Sequence, residues 1–451
     1  MENTVIQRKS IELANYVSNL KFEDIPDHVV DEVQTLIFDY LGVTLRGSTT
    51  DSGRIAQEFQ EEYGSVKPEA TLIGSGKKIT SQAAAFANAV SSHSIEMDDV
   101  DDLALFHFSP PIISAALAVA EANHSSGKEL ITAITVGCDI MKRLSDAMNP
   151  NLRDRGYHTT PVCGVFGATA AAARLEGLSS DEIVSAFGLA GAHASGLMEM
   201  YGSNMQKRIN PGPAAQNGIV AARLAKRGYT GADTIFDGKR GVLRVFANQE
   251  DGSALVDGLG EKFNLGIEYK RYACARPIHN AVDCALNIRP DVLNQLENIK
   301  EMKIFRHPSW AHYHEIKSPK SIHEAQVSLN HGVAVALVEG DAFLEHFTDK
   351  WISHPEVKRL STMLEFVPDK ELSRGVSCKL QVVLNNGNTY ESQVDYPKGS
   401  IQNPMSKEEH RTKLALLAGE HLNRAQLIQI HEMIENLQSL ETINELMDKI
   451  H

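Results

Sequence analysis

The sequence predicts a mainly α-helical protein with a smaller α+β domain inserted into it. Apolar residues recur at helical spacing through most of the first 265 residues. Short runs of strict alternation follow that point. From Ser406 the helical pattern returns and continues to the end. An all-helical domain built from both ends of the chain (1–265 and 401–451), with an α+β lid domain over 266–400, accounts for all three observations. The 451 residues, 42% hydrophobic, supply a large core and, at roughly 150 residues per domain, two or three domains.

The elements follow in order. DHVVDEVQTLIFDYLGVTL, from Asp27, places Val30, Val33, Leu36, Ile37, Tyr40 and Leu41 on one helical face, and Gly47-Ser48 ends it. Further helices are expected near 80–94, 110–124, 128–147, 161–176, 180–195 and 213–227. Many are Ala-rich, which lets helix axes approach closely. NIKEMKIFRH (298–307) and SCKLQVVL (377–384) alternate and read as strands. Asn386-Gly387 and then TYESQVDY (389–396) complete a hairpin signal. Residues 321–340 read as one helix, and helix resumes from Ser406.

The net charge of −14, from 44 Lys+Arg against 58 Asp+Glu, opposes binding to nucleic acid or anionic membrane. No window approaches the ~20 apolar residues of a membrane span. The start, MENTVIQRKSIELANYV, lacks a basic n-region followed by an apolar run, so no signal peptide is expected. Five cysteines without a C-x-x-C pair speak against a disulfide framework or a structural zinc, and fit a reducing, cytoplasmic setting.

The most informative stretch is HSIEMDDVDDLALFHFSPP (93–111). It sets Glu96, Asp98, Asp99, Asp101 and Asp102 beside His93 and His107, between two apolar Ala-rich segments. A site explains such a polar insert, because buried ionisable groups are costly unless paired or used. A solvated acidic loop explains it too. DDVDD lacks the Gly and closing Glu of a calcium loop, and no metal is expected.

Four more segments stand out. His158 precedes Thr159-Thr160-Pro161 and an apolar helix, where free N–H groups and the helix dipole favour anions. An ordinary capping histidine is the alternative. Lys207 and Arg208 lie in a turn before a long helix and form either an anion site or a solvated basic pair. Lys270, Arg271, Arg276 and His279 crowd ten residues around Cys274, a thiol more often inert than nucleophilic. His323 and His331 sit on an expected helix, where a lone histidine is commonly a packing residue. Gly164 to Gly167 lacks the spacing of a dinucleotide fingerprint.

Taken together these segments resemble the MmgE/PrpD family. The matching pieces are HSIEMDD…FHFSPPIISAALAVAE, RGYHTTPVCGVFGATAAAARLEGLS, QKRINPGPAAQNGIVAARLAKRGYTGADTIFDGKRG, KRYACARPIH, EAQVSLNHGVAVALVEG and QNPMSKEE, in the family's order. The resemblance implies a homodimer whose active site lies between a helical domain and an α+β lid, with no metal or organic cofactor. It carries cleft roles onto His107, His158, Lys207 and Lys270. Glu96 stands where an Asp is usual, Val100 where the decarboxylase and dehydratase pattern has Thr, and Phe108 where Pro follows the histidine. Asn210 replaces a His, and His331 stands where the decarboxylase pattern has a Tyr.

The implied reactions break or remake a C–H or C–CO₂ bond next to a carboxylate. The developing negative charge needs nearby cations, which Lys207, Arg208, Lys270, Arg271 and Arg276 can supply, with His331 as a further substrate contact. His107 and His158 are the acid/base pair, and Glu96 and Asp98 or Asp99 are expected to orient His107. The function expected is a cofactor-independent lyase on a small di- or tricarboxylate, a dehydratase ahead of a decarboxylase. An epimerase of an amino- or imino-dicarboxylate and a non-catalytic carboxylate-binding protein are the alternatives.

Overall fold

In the computed structural model, residues 8–62, 67–200, 204–263, 265–373 and 377–450 are described. Residues 1–7, part of the stretch read for a leader, lie outside them. The chain is mainly helical with a small mixed sheet. Among the described residues no helix is long and apolar enough to cross a membrane.

Buried apolar side chains form two large clusters. The larger draws on helices between Leu13 and Ala247 and again on Met405 to Ile450, so both ends of the chain share it. At its centre Thr159–Leu175 packs against Gly127–Met148 and Pro211–Ala225. Small residues permit this: a Cβ on Gly218 would lie 2.6 Å from the Ala168 methyl. The second cluster draws mostly on residues 272–384, with Val43, Ile95, Met97 and Leu417 reaching in from elsewhere.

Among the described residues the strands are β1 (Ala70–Thr71), β2 (Lys78–Ile79), β3 (Ile299–Arg306), β4 (Leu364–Pro368), β5 (Cys378–Leu384) and β6 (Thr389–Val394). β1 and β2 form a small hairpin, while the others make one sheet in the order β4-β3-β5-β6. β5 and β6 pair antiparallel from Cys378↔Val394 to Val383↔Thr389 around the Asn386-Gly387 turn. β4 adds parallel to β3 and was not anticipated, since five residues give too short a run for periodicity.

Three expected helices differ in detail. The one over 321–340 is two, Ile322–Gln326 and Leu329–Glu339. Ser328 Oγ accepts from the His331 N–H, so a new helix start is satisfied locally and the chain changes direction. The 180–195 helix ends at Ala190, followed by Gly191 as its cap. The C-terminal helix stops at Ala418 and restarts at Arg424, where Asn423 Oδ1 accepts from Ala425 and Gln426 N–H.

One buried ion pair links the C-terminal segment to the acidic insert. Lys413 Nζ lies 2.6 Å from Asp39 Oδ1 and donates to the Met97 carbonyl at 2.7 Å. Burial pushes Asp39 up to about 6, against the pull of Lys413. Lys413→Met leaves Asp39 buried without its partner. The expected loss in urea unfolding is about 3–5 kcal/mol, partly recovered by adding Asp39→Asn. A loss below about 1 kcal/mol contradicts this assignment.

Candidate active site

The acidic insert is buried, and each of its carboxylates has a partner. Glu96, Asp98, Asp99 and Asp101 are each 3% exposed or less, which rejects the solvated-loop reading. Asp99 caps the helix Ser109–Asn123. Its two oxygens accept from the Phe108 N–H at 2.7 Å and the Ser109 N–H at 3.1 Å. Pro110 and Pro111 have no N–H, so these bonds satisfy the start of the helix. Asp101 pairs with Lys142 at 3.0 Å and accepts from the Ala104 N–H. Asp102 takes Arg276 through two bonds, at 2.7 and 3.1 Å.

Asp98 organises the histidines. Its Oδ2 lies 2.7 Å from His93 Nδ1 and 3.0 Å from His107 Nδ1. His107 Nδ1 also lies 2.5 Å from the Asp99 carbonyl. A carbonyl only accepts, so Nδ1 carries the hydrogen and Nε2 is left for the cavity. His158 is set the opposite way. Asn210 Nδ2 donates to its Nδ1 at 3.0 Å and to the Met200 sulfur, so His158 Nε2 bears the hydrogen. Burial, with His93 and His107 nearby, holds His158 well below the usual imidazole range. Burial lowers His93 to about 4 despite Asp98.

Glu96 departs from its expected part. It makes no hydrogen bond to His107. Its carboxylate meets Lys207, Arg208 Nη1 at 2.5 Å and Lys270 at 3.1 Å. Burial pushes Glu96 up, yet these three cations outweigh it and hold the group well below the usual carboxylate range. The sequence placed Glu96 beside His107 by proximity. Its left-handed backbone (φ 57°) turns the side chain toward the cations instead.

The cations come from separate elements. Lys207 and Arg208 lie on the short helix Gln206–Ile209. Burial lowers Lys207 to about 8 against the pull of Glu96, so it is a cation at neutral pH. Lys270 lies in the segment anchored where the Tyr269 N–H bonds the Gly399 carbonyl. Gly399 has φ 90°, and a Cβ there would lie 2.0 Å from the Tyr269 oxygen. Burial acts to lower Lys270, but Glu96 and Asp98 raise it above its ordinary value. Gln326 stitches the pieces together, accepting from Arg208 and donating to the Ile95 and Ala273 carbonyls.

Two connected cavities result. The inner one, about 40 Å³, is lined by Glu96, Val100, His107, His158, Lys207 and Lys270 on one side. Leu105, Ala275, Arg276, Pro277, Tyr313 and His314 complete it. The outer one, about 480 Å³, shares Leu105, Arg276 and Pro277 with the inner and is lined also by Trp310 and Arg153.

Of the expected site residues, Asp98 and Arg208 line neither cavity but bond to His107 and Glu96, which do, and two more lie elsewhere. His331 lines neither cavity: its Nε2 donates to the His346 carbonyl at 2.9 Å and its ring packs on Phe347. It faces the second apolar cluster, as a satisfied helical histidine does. Arg271 turns to Asp341 at 3.2 Å and lies over the Tyr272 ring. Arg276 borders both cavities, but its guanidinium is held by Asp102, Glu268 and the Tyr269 and Lys398 carbonyls. Tyr313 and His314 were missed; their only signal is the His- and aromatic-rich run WAHYH after a strand. Cys274 is fully buried and burial pushes its thiol up, as an inert cysteine requires.

Two family models match the chain: the MmgE/PrpD N-terminal domain over residues 11–254 and the MmgE/PrpD C-terminal domain over residues 272–438. The chain belongs to the MmgE/PrpD family. It is 29% identical to a cis-aconitate decarboxylase-like protein, oryM, of Aspergillus oryzae, over 97% of this chain and 96% of that one. It is 26% identical to a cis-aconitate decarboxylase of Aspergillus terreus (98% and 95%) and 28% identical to the human cis-aconitate decarboxylase (95% and 91%).

The chain's departures from the MmgE/PrpD pattern acquire physical roles. Asn210 fixes the tautomer of His158. Phe108 supplies an N–H that Asp99 uses and a proline lacks. Val100 puts an apolar wall on the inner cavity.

Two of the low-pKa histidines, His93 and His158, give a pH test. An unfolded imidazole takes a proton near ~6.5. Each folded ring stays neutral to lower pH, so the stability it contributes is present above ~6.5 and is lost as pH falls toward its folded value. In an NMR titration from pH 8 to 5, the His93 and His158 rings are expected not to titrate. Midpoints near 6.5 contradict their assignment as buried neutral rings.

Proposed function

We propose that this chain is a lyase that removes CO₂ from a small unsaturated polycarboxylate of the cis-aconitate type. The observation that carries the reading is the convergence of Lys207 and Lys270 with His107 and His158 on one buried cavity, where Glu96 also binds Arg208. The names of its relatives, across nearly the full chain, support the substrate class.

In this reading the cations hold substrate carboxylates and offset the charge released by C–C cleavage. The bond to one carboxylate breaks and CO₂ leaves. The electron pair forms a new C=C bond, the original double bond shifts, and its far carbon takes a proton. His107 carries that proton at Nε2, with Asp98 offsetting the charge on the ring. His158, neutral, directs its Nε2–H to a substrate oxygen where negative charge gathers. A solvent proton restores His107, so the sum is one carboxylate and one proton converted to one CO₂ and one C–H bond. Tyr313 and His314 close the cavity from the second cluster's side.

Val100 favours a second reading, epimerisation of an amino- or imino-dicarboxylate, since it removes a hydroxyl that the decarboxylase and dehydratase pattern carries. A homodimer and a cytoplasmic setting complete the proposal. Ile55, Phe59, Met205 and Ile209 are exposed apolar side chains suited to a subunit contact, and all five cysteines are free and buried.

Proton NMR in deuterated buffer, run on citrate-, aconitate- and aspartate-like acids, tests the chemistry. The expected product carries one solvent deuterium per CO₂ released. Deuterium exchange with no loss of mass supports the epimerase, and loss of water without CO₂ supports a dehydratase. His107→Ala and Lys207→Ala are each expected to cut turnover by about 100-fold or more with the fold retained. Near wild-type turnover in either rejects its role, and binding without turnover of any acid rejects the enzyme reading.

A further inference from the structure

We propose that Glu96 is a resident competitor: it occupies the seat of a substrate carboxylate and must leave it for substrate to bind. The inference rests on the inner cavity being the anion site proposed above.

Three observations lead to it. The first is occupancy. Lys207 and Lys270 line the inner cavity, and both, with Arg208, contact the one Glu96 carboxylate, while the third lining cation, Arg276, is held by Asp102 and Glu268. An incoming carboxylate therefore finds its best partners already engaged. The second is volume. The inner cavity of about 40 Å³ holds a few waters and not a di- or tricarboxylate, while the adjoining outer cavity of about 480 Å³ can hold one. Withdrawing the Glu96 carboxylate makes both the room and the positive charge. The third is conformation. Glu96 is a non-glycine residue at φ 57°, a backbone state that persists only where the surroundings impose it. In that state the Glu96 side chain reaches these three cations, so a ligand that takes them over removes the contacts that hold the residue there.

Charge favours the same exchange. Lys207, Arg208 and Lys270 face Glu96 and Asp98, leaving the cluster with about one net positive charge. Asp98 is held by His93 and His107 and cannot move without undoing both. Glu96 is bound only by the cations themselves, so it is the anion free to exchange. An aspartate at this position is one methylene shorter and spans the three cations less well, so the glutamate makes the competition stronger. Apparent affinity is then the intrinsic affinity reduced by the fraction of molecules with Glu96 displaced. Glu96 thereby selects for ligands whose carboxylates engage several of the cations at once, against those that offer a single weak contact.

The test is calorimetric titration with propane-1,2,3-tricarboxylate, which has no double bond to shift and no hydroxyl to lose. Glu96→Gln keeps the shape and removes the competing charge. It is expected to bind this probe about 10-fold or more tightly than wild type, and Glu96→Asp about 3-fold more tightly. Thermal unfolding checks that each variant is folded; should the Gln variant not fold, the Asp variant decides. Equal or weaker binding in the folded variants overturns the inference and makes Glu96 a positioning residue for the lysines. Binding to wild type with that result leaves the anion site standing. No binding to any form removes the anion site and the inference together.

Discussion

Buried charge that must be paired is the constraint from which the rest of this structure follows. Four carboxylates of the insert between residues 96 and 101 lie almost wholly out of water. Removing an ion from water costs several kcal/mol unless partners with good geometry are present. The partners come from distant parts of the chain: Lys207 and Arg208 before one helix, Lys270 after another, Lys142 inside a third, and two free N–H groups at the start of a fourth. Satisfying the insert therefore fixes where these elements sit. The same pairing leaves Lys207, Lys270 and two oppositely protonated imidazoles around one small space, which is an arrangement suited to charge developing next to a carboxylate.

The second apolar cluster closes this space. Gln326, at the end of a helix only five residues long, reaches back to Arg208 and to the Ile95 carbonyl. Tyr313 and His314 approach from the same side. Asn210 and Phe108, two departures from the family pattern, support the site by fixing a ring and feeding a cap. Val100 and Glu96 line the inner cavity itself.

Much of this was legible in the sequence, for reasons of period and local chemistry. The helical spacing in 27–48 and the Asn386-Gly387 hairpin reflect rules that act over a few residues. The basic groups at 207, 208 and 270 were visible because they are concentrated in an acidic chain. The partner of Glu96 was not, because the choice between His107 and the lysines depends on a left-handed backbone turn that no pattern reports. His331 was misplaced because a helical position tells which residues share a face and not which face is buried. Tyr313 and His314 sit in a loop whose path is set by contacts far away in sequence, such as the bond from the Leu329 N–H to the His314 carbonyl. The Asp39–Lys413 pair, 374 residues apart, has no local signature either.

His107, His158, Lys207 and Lys270 come from separate elements and line one small cavity, so one ligand bound there would touch them together. NMR with labelled histidine and lysine, while a non-reacting tricarboxylate is added, measures this directly. The signals of His107, His158, Lys207 and Lys270 are expected to shift together along one binding curve, while that of His331 stays still. Shifts at one of the four alone, or unrelated curves for the lysines and the histidines, contradict it.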